Sequence, residues 1–162
     1  MIRNATPADA AALARIYNRY VLDTTVTFEE TAVPDGEMAS RIAEVQAVGL
    51  PWLVAEDNAG TVLGHAYASK WKGRCAYRFA LETTVYLDAS AHRQGIGRQL
   101  YGRLLALLRD AGMHVAIGGI ALPNEASIAL HEKLGFRKVG QFEQVGFKFG
   151  RWVDVGYWQL FL

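Results

Sequence analysis

The segment "ALETTVYL" places one carboxylate, Glu82, inside a run of apolar and β-branched residues. A carboxylate in such a run is costly unless it has partners or chemical work, and burial lifts its pKa toward the range useful to a general base. An edge strand with Glu82 facing solvent explains the same pattern. Immediately downstream, "TVYLDASAHRQGIGRQLYGRLLALL" passes from an alternating strand pattern through a polar turn and two glycines into a helical pattern. A strand, a glycine turn and a helix N-terminus present unpaired backbone N–H groups in one direction, at the positive end of the helix dipole. That arrangement suits an anion. Gly95 and Gly97 allow close approach to the backbone, and Arg93 and Arg98 add charge at the rim.

Other readings of the turn compete. A dinucleotide fingerprint needs a third glycine where this chain has Leu100, and an acidic residue ending the next strand, where "HVAIGGIAL" offers none. A nucleotide P-loop needs Gly-Lys-Ser/Thr, which is absent. A plain capped turn fits the turn taken alone. Further on, Asn124 and His131 lie two helical turns apart and so share a face. Asn124 suits an N-cap, and a lone His131 on a short helix reads as structural or as a proton-handling group. His65, His92, His114 and His131 show no metal-ligand spacing, and there is no H-E-x-x-H or C-x-x-C, so no metal is expected. Cys75 has no base adjacent in sequence and reads as a packing residue.

The elements that must position these groups can be read from periodicity. Thr6, Pro7 and Asp9 form a helix-start signature, followed by Leu13, Ile16, Tyr17 and Tyr20 at helical spacing. "TTVTFEE" is β-prone, and "VPDGEMASRIAEVQAVG" predicts a second helix with Pro51 as its stop. Two β-prone runs around Asp57, Asn58, Ala59 and Gly60 predict a hairpin. A loop with Lys72, Gly73 and Arg74 leads into the Glu82 strand, then a helix from about Gly95 to Ala111, the strand "MHVAIGGIAL", a short helix, and two strands turning near Gly150. The order β, α, α, three strands, α, β, α, two strands predicts an α/β (α+β) mixed sheet with helices on both faces, as one domain over residues 1–162.

Length and charge bound the function. A chain of 162 residues, 51% hydrophobic with formal net charge +1, carries no field of the size that nucleic acid or anionic membranes select. The opening "MIRNATPADA" lacks the apolar core of a secretory signal, and no apolar run reaches the roughly 18 residues needed to span a bilayer. With a single cysteine, these features predict a cytoplasmic protein with neither membrane nor nucleic-acid partners.

The turn and the downstream helix together resemble a known family. "HRQGIG" after "VYLDAS" resembles the Arg/Gln-x-x-Gly-x-Gly segment of the Gcn5-related N-acetyltransferase (GNAT) superfamily, and "NEASIALHEKLGF" resembles its second signature. "PWLVAE", "LETTVYL", "LPNEASIALHEKLGF" and "GFKFGRWVDVGYWQL" are similar to the branch that acetylates phosphinothricin, methionine sulfoximine and methionine sulfone. The resemblance implies the GNAT fold, with acetyl-coenzyme A as co-substrate and direct attack of an amine on the thioester. It assigns Glu82 as base and His131 as proton relay or substrate ligand. It assigns acetyl-coenzyme A binding to Val85, Tyr86, Leu87, Arg93, Gln94, Gly95, Ile96, Gly97, Arg98 and Asn124. Substrate contacts fall to Phe28, Lys72, Gly73, Arg74, Tyr77, Glu82, Thr83 and Thr84, in a site close to a homodimer interface. His92 stands where the family pattern has Arg or Gln, which shifts the phosphate grip onto the backbone and the flanking arginines. A coenzyme A-binding sensor without turnover keeps the turn and discards the chemistry, and an NAD-dependent oxidoreductase is left without its third glycine.

Overall fold

The structure, a computed structural model, describes residues 1–92 and 94–162. Thr6 and Asp9 cap each other at the entry to the first helix: the Thr6 amide donates to Asp9 Oδ2 at 2.7 Å, and Pro7 occupies the first helical position. Arg3 grips the same carboxylate with two nitrogens at 2.8 Å each, which holds the Asp9 pKa down to about 2. These contacts join strand β1 (Ile2–Asn4) to helix α1 (Ala10–Asp23). There follow α2 (Asp35–Ala47), β2 (Trp52–Glu56), β3 (Val62–Lys70), β4 (Ala80–Leu87), α3 (Ile96–Asp110), β5 (Val115–Ala121), α4 (Glu125–Lys133), β6 (Arg137–Lys148) and β7 (Arg151–Phe161).

The seven strands form one mixed sheet in the order β1-β2-β3-β4-β5-β7-β6. Every neighbouring pair is antiparallel except β4 with β5. Alternation along each strand divides the core in two. Leu53, Ala55, Ala66, Ala68 and Leu81 pack against Leu100, Tyr101, Leu104, Leu105 and Leu108 of α3. Trp52, Val54 and Val62 pack on the opposite face against Leu13, Ile16, Tyr17 and Val21 of α1 and Met38 and Ile42 of α2. Burying each of these leucines contributes about 1.5–3 kcal/mol, so α3 is held by its apolar stripe rather than by helix propensity.

The α/β mixed sheet with helices on both faces is as the sequence predicts, and the hairpin at Asp57–Gly60 forms as expected, with Asp57 Oδ1 accepting from the amides of Ala59 and Thr61. Two expectations need correction. "TTVTFEE" forms no strand: it belongs to an irregular segment, 24–34, whose polar groups are met by side chains of α1, α2 and β6 instead of a ladder. The second helix ends before Pro51, because Gly49 takes the left-handed conformation at φ 75° just past the last turn. Among the described residues, no helix is long and apolar enough to cross a membrane.

His65 on β3 is an anomaly within the second core. It is 1% exposed, and neither ring nitrogen has a hydrogen-bond partner among the described residues. Its ring lies stacked near Trp52 and Tyr67, and burial alone pushes its pKa down to about 3. The unfolded chain takes up this proton near pH 6.5 and the folded chain only near 3, so the unfolded state binds more protons between those values and stability falls as pH drops through that window. We predict that His65→Phe is tolerated at pH 7 and removes about 2–3 kcal/mol of the destabilisation that wild type suffers on going from pH 7 to 4.5, read by urea denaturation at both pH values. An unchanged pH dependence would show that another group carries it.

Candidate active site at a fork in the sheet

Strands β4 and β5 pair only from Ala80 opposite Val115 to Glu82 opposite Ile117. Beyond that point β4 continues to Leu87 along β3 while β5 continues to Ala121 along β7, and a cleft of about 390 Å³, counting the open solvent at its mouth, separates them. Thr83, Thr84, Val85 and Tyr86 form one wall, Gly119, Ile120 and Ala121 the other, with Asn124, Ser127 and His131 of the α4 region and Val26 closing the sides. In a strand paired on one edge, alternate main-chain groups point to the opposite edge, so the 83–87 segment turns donors and acceptors toward the cleft. That edge can accept an extended chain as an added strand.

Alternation sends the β4 side chains to opposite faces. Leu81, Val85 and Leu87 face α3, whereas Tyr86 packs against Tyr17 and Tyr20 of α1. Glu82 and Thr84 therefore share the α1 face and Thr83 the α3 face. The Glu82 carboxylate is half-buried, and burial raises its pKa, with Lys72 opposing the rise. It lies beside Gly119, where a Cβ would stand 3.4 Å from Oε1 and 3.3 Å from the ring of Tyr157. Burial and the nearby Glu82 charge in turn raise the Tyr157 pKa.

On the other face, His131 is 4% exposed and its ring fills the space that a side chain at Gly118 would need. The two adjacent glycines of β5 thus admit one functional group from each face to the root of the fork. His131 Nδ1 lies 2.8 Å from the Ser127 carbonyl, which only accepts, so this nitrogen carries the proton. Burial lowers the His131 pKa against that hydrogen bond and keeps the ring neutral, so Nε2 accepts from the Tyr101 hydroxyl at 3.0 Å. Tyr101 in turn accepts from the Thr83 hydroxyl at 2.6 Å. A file of hydroxyls leads from the cleft wall at Thr83 to the imidazole.

Of the residues expected to cradle phosphate, those from Gly95 to Arg98 lie at the start of α3. Gly95 caps α3 in the left-handed conformation at φ 76°, and Ile96, Gly97 and Arg98 begin the helix. Gly97 is buried, with room for a Cβ only 3.0 Å from Leu87, which brings the helix start against the end of β4. Arg98 is exposed, Gln94 turns its amide to the Ser90 carbonyl, and Arg93 lies outside the described residues. His92, the departure from the family pattern, sits 3.2 Å from the Tyr20 hydroxyl, which itself donates to the Leu87 carbonyl at 2.7 Å. Asn124 caps α4 by accepting from the Ser127 amide at 3.1 Å and also lines the cleft.

The expected substrate loop is less concentrated. Lys72 lies 4.9 Å over the Trp71 ring, and Gly73, Arg74 and Tyr77 are exposed without lining the cleft. Phe28 packs on Gly146 of β6, and its neighbour Val26 lines the cleft. Sequence reasoning missed Tyr101, Ser127, Tyr157 and the Gly118–Gly119 pair. Tyr101 sits in the apolar stripe of α3 and reads there as core; only its hydroxyl sets it apart from the leucines.

Residues 2–156 match the family described as "Acetyltransferase (GNAT) domain". The chain is 41% identical to a phosphinothricin N-acetyltransferase of Streptomyces viridochromogenes, over 98% of this chain and 85% of that protein. It is 40% identical to an L-methionine sulfoximine/L-methionine sulfone acetyltransferase of Salmonella typhimurium, over 98% and 92% respectively. The crystal structure of a phosphinothricin acetyltransferase from Sinorhizobium meliloti in complex with acetyl-coenzyme A superposes with a TM-score of 0.97 at 39% identity, covering 100% of this chain and 88% of that one.

Removing one member of the buried file tests its geometry. Tyr101→Phe leaves His131 Nε2 and the Thr83 hydroxyl without their shared partner, and stability should fall by about 1–3 kcal/mol in denaturant titration. A loss below about 0.5 kcal/mol would mean the file is not formed in solution.

Proposed function

The chain belongs to the GNAT acetyltransferase family, and we propose that it transfers the acetyl group of acetyl-coenzyme A to the amino group of a small amino acid analogue such as phosphinothricin, methionine sulfoximine or methionine sulfone. The observation that carries this reading is the fork: an extended main-chain edge leads from a half-buried carboxylate at one end to a helix N-terminus at the other. A long co-substrate with an anionic end and an apolar, amide-bearing arm matches both features. The amides of Ile96, Gly97 and Arg98 lack intrahelical partners and suit the pyrophosphate, and Val85–Leu87 suit the arm.

The chemistry divides between the two faces of β4. Glu82, its pKa raised by burial, takes a proton from the ammonium of the acceptor, directly or through one water, and frees the lone pair. A C–N bond forms, the C–S bond breaks, and the thiolate leaves to be protonated. Main-chain N–H groups of the β4 edge polarise the thioester carbonyl as negative charge develops. His131 acts as the inner end of a relay rather than as a direct substrate ligand, because both ring nitrogens already have protein partners. In this reading Lys72 and Arg74 meet the acidic end of the amino acid, and Thr84 faces the acceptor beside Glu82.

The reading includes a homodimer. β6 is an edge strand, and Phe142, Val145, Phe147, Phe149 and Trp152 on the β6–β7 hairpin are all more than half exposed, an apolar surface that a second copy would cover. A second copy there would also bring side chains near Phe28 and Gly146.

We predict acetyl-coenzyme A-dependent release of free thiol with at least one of the three named analogues, measured by a thiol-reactive dye; no turnover over these and a broad amine panel would sink the proposal. Glu82→Gln should lower kcat by on the order of 100-fold or more and abolish the rise of rate with pH that follows Glu82 ionisation. Acetyl-coenzyme A affinity by calorimetry should stay unchanged, and an equal loss in both would argue against a base.

A further inference from the structure

The irregular segment 24–34 lies on the face of the sheet that Glu82 shares, supplying Val26 to the cleft wall and carrying Phe28. Its ends are fastened by neighbours in α1 and α2. Thr24 Oγ1 donates to the Tyr20 carbonyl at 2.7 Å, Thr27 and Tyr17 share a hydroxyl hydrogen bond of 2.8 Å, Arg41 pairs with Glu29 at 2.6 Å, and Asn18 brackets Val33. The remaining fastening comes from far along the chain. Lys148, the last residue of β6, has 0% exposure, and its Nζ donates to the carbonyls of Val21 at 2.6 Å and Thr27 at 2.8 Å.

Val21 is two residues from the end of α1, so its carbonyl is one of those without an intrahelical partner, at the negative end of the helix dipole. Two residues before Lys148, Gly146 provides the flat surface on which the Phe28 ring rests; a Cβ there would overlap the ring. β6 therefore seats the segment twice, by an ammonium on the backbone of Thr27 and by a missing side chain under Phe28. An apolar side chain of similar length would fill the same space without the desolvation cost of a buried ammonium. What the charge adds is geometry: two carbonyls, one on a helix and one on a loop, are fixed to a single point.

We propose that Lys148 is a positioning residue for the amine acceptor, setting Val26 of the cleft wall and the adjoining Phe28 ring through the carbonyls of Val21 and Thr27, and so controlling acceptor affinity without touching either substrate. The proposal rests on the acetyltransferase reading above. Lys148→Met should raise acceptor KM on the order of 10-fold while kcat and acetyl-coenzyme A KM stay within about twofold. In a Val26→Ala/Phe28→Ala background the same substitution should add less than about twofold, since the side chains it positions are gone. Gly146→Ala, which displaces the Phe28 ring and leaves the ammonium in place, should reproduce the KM split and decides the matter if Lys148→Met does not fold. Hydrogen exchange should accelerate at amides 24–33 in Lys148→Met and stay unchanged in β5 and β7. Equal rises in both KM values, a full additional effect in the Val26→Ala/Phe28→Ala background, or unaltered exchange at 24–33 would overturn the proposal. If wild type acetylates no acceptor, the acetyltransferase reading fails, and the exchange measurement alone decides whether Lys148 holds the segment.

Discussion

The parallel pairing of β4 with β5 stops after Glu82 and Ile117, and the rest of the site depends on that stop. Had the ladder continued, the β4 edge would have satisfied its main-chain groups within the sheet, leaving no donors for a ligand and no space between the strands. β3 holds β4 on one side and β7 holds β5 on the other, so each strand remains extended while the space between them opens. The Gly118–Gly119 pair then lets His131 approach from one face and Glu82 with Tyr157 from the other. A side chain at Gly118 would exclude the imidazole outright.

Strand alternation explains why two ionisable groups in one site behave differently. Glu82 and His131 come to the fork from opposite faces, and burial shifts each toward its neutral form, raising the carboxylic acid and lowering the imidazole. Glu82 keeps a cationic neighbour in Lys72 that moderates its rise. His131 is met by the neutral groups of Ser127 and Tyr101, which fix its tautomer instead of charging it. In the proposed reaction the carboxylate accepts the proton of the amine and the imidazole ends the relay.

The irregular segment before α2 is fastened by side chains rather than by a ladder. The 24–34 segment has no ladder, yet hydroxyl, guanidinium, amide and ammonium groups meet its backbone and side chains along its length. This is how a loop can form a wall of a binding cleft without fraying into solvent.

Much of this protein is legible from one sequence, because local signals are short-ranged. Pro7 and Asp9, the Asp57–Gly60 turn, the glycines at 95 and 97 and the helical stripe of α3 each act through neighbours within a few residues, so the order of elements follows from them. Two motifs in register sufficed to indicate the family, and Glu82 stood out as a charge in an apolar strand. The segment 24–30 misled because β-branched residues resemble a strand when the partners that replace the ladder lie on α1, α2 and β6. Tyr101 was hidden for the same reason: in sequence it is one more core position, and its hydroxyl acquires a role only where α3 crosses β4 and α4. The sequence by itself determined the elements, their order and the chemical types available. Only the tertiary structure decided where the sheet forks, which face each side chain takes and which nitrogen of His131 is occupied, because those depend on contacts between residues distant along the chain.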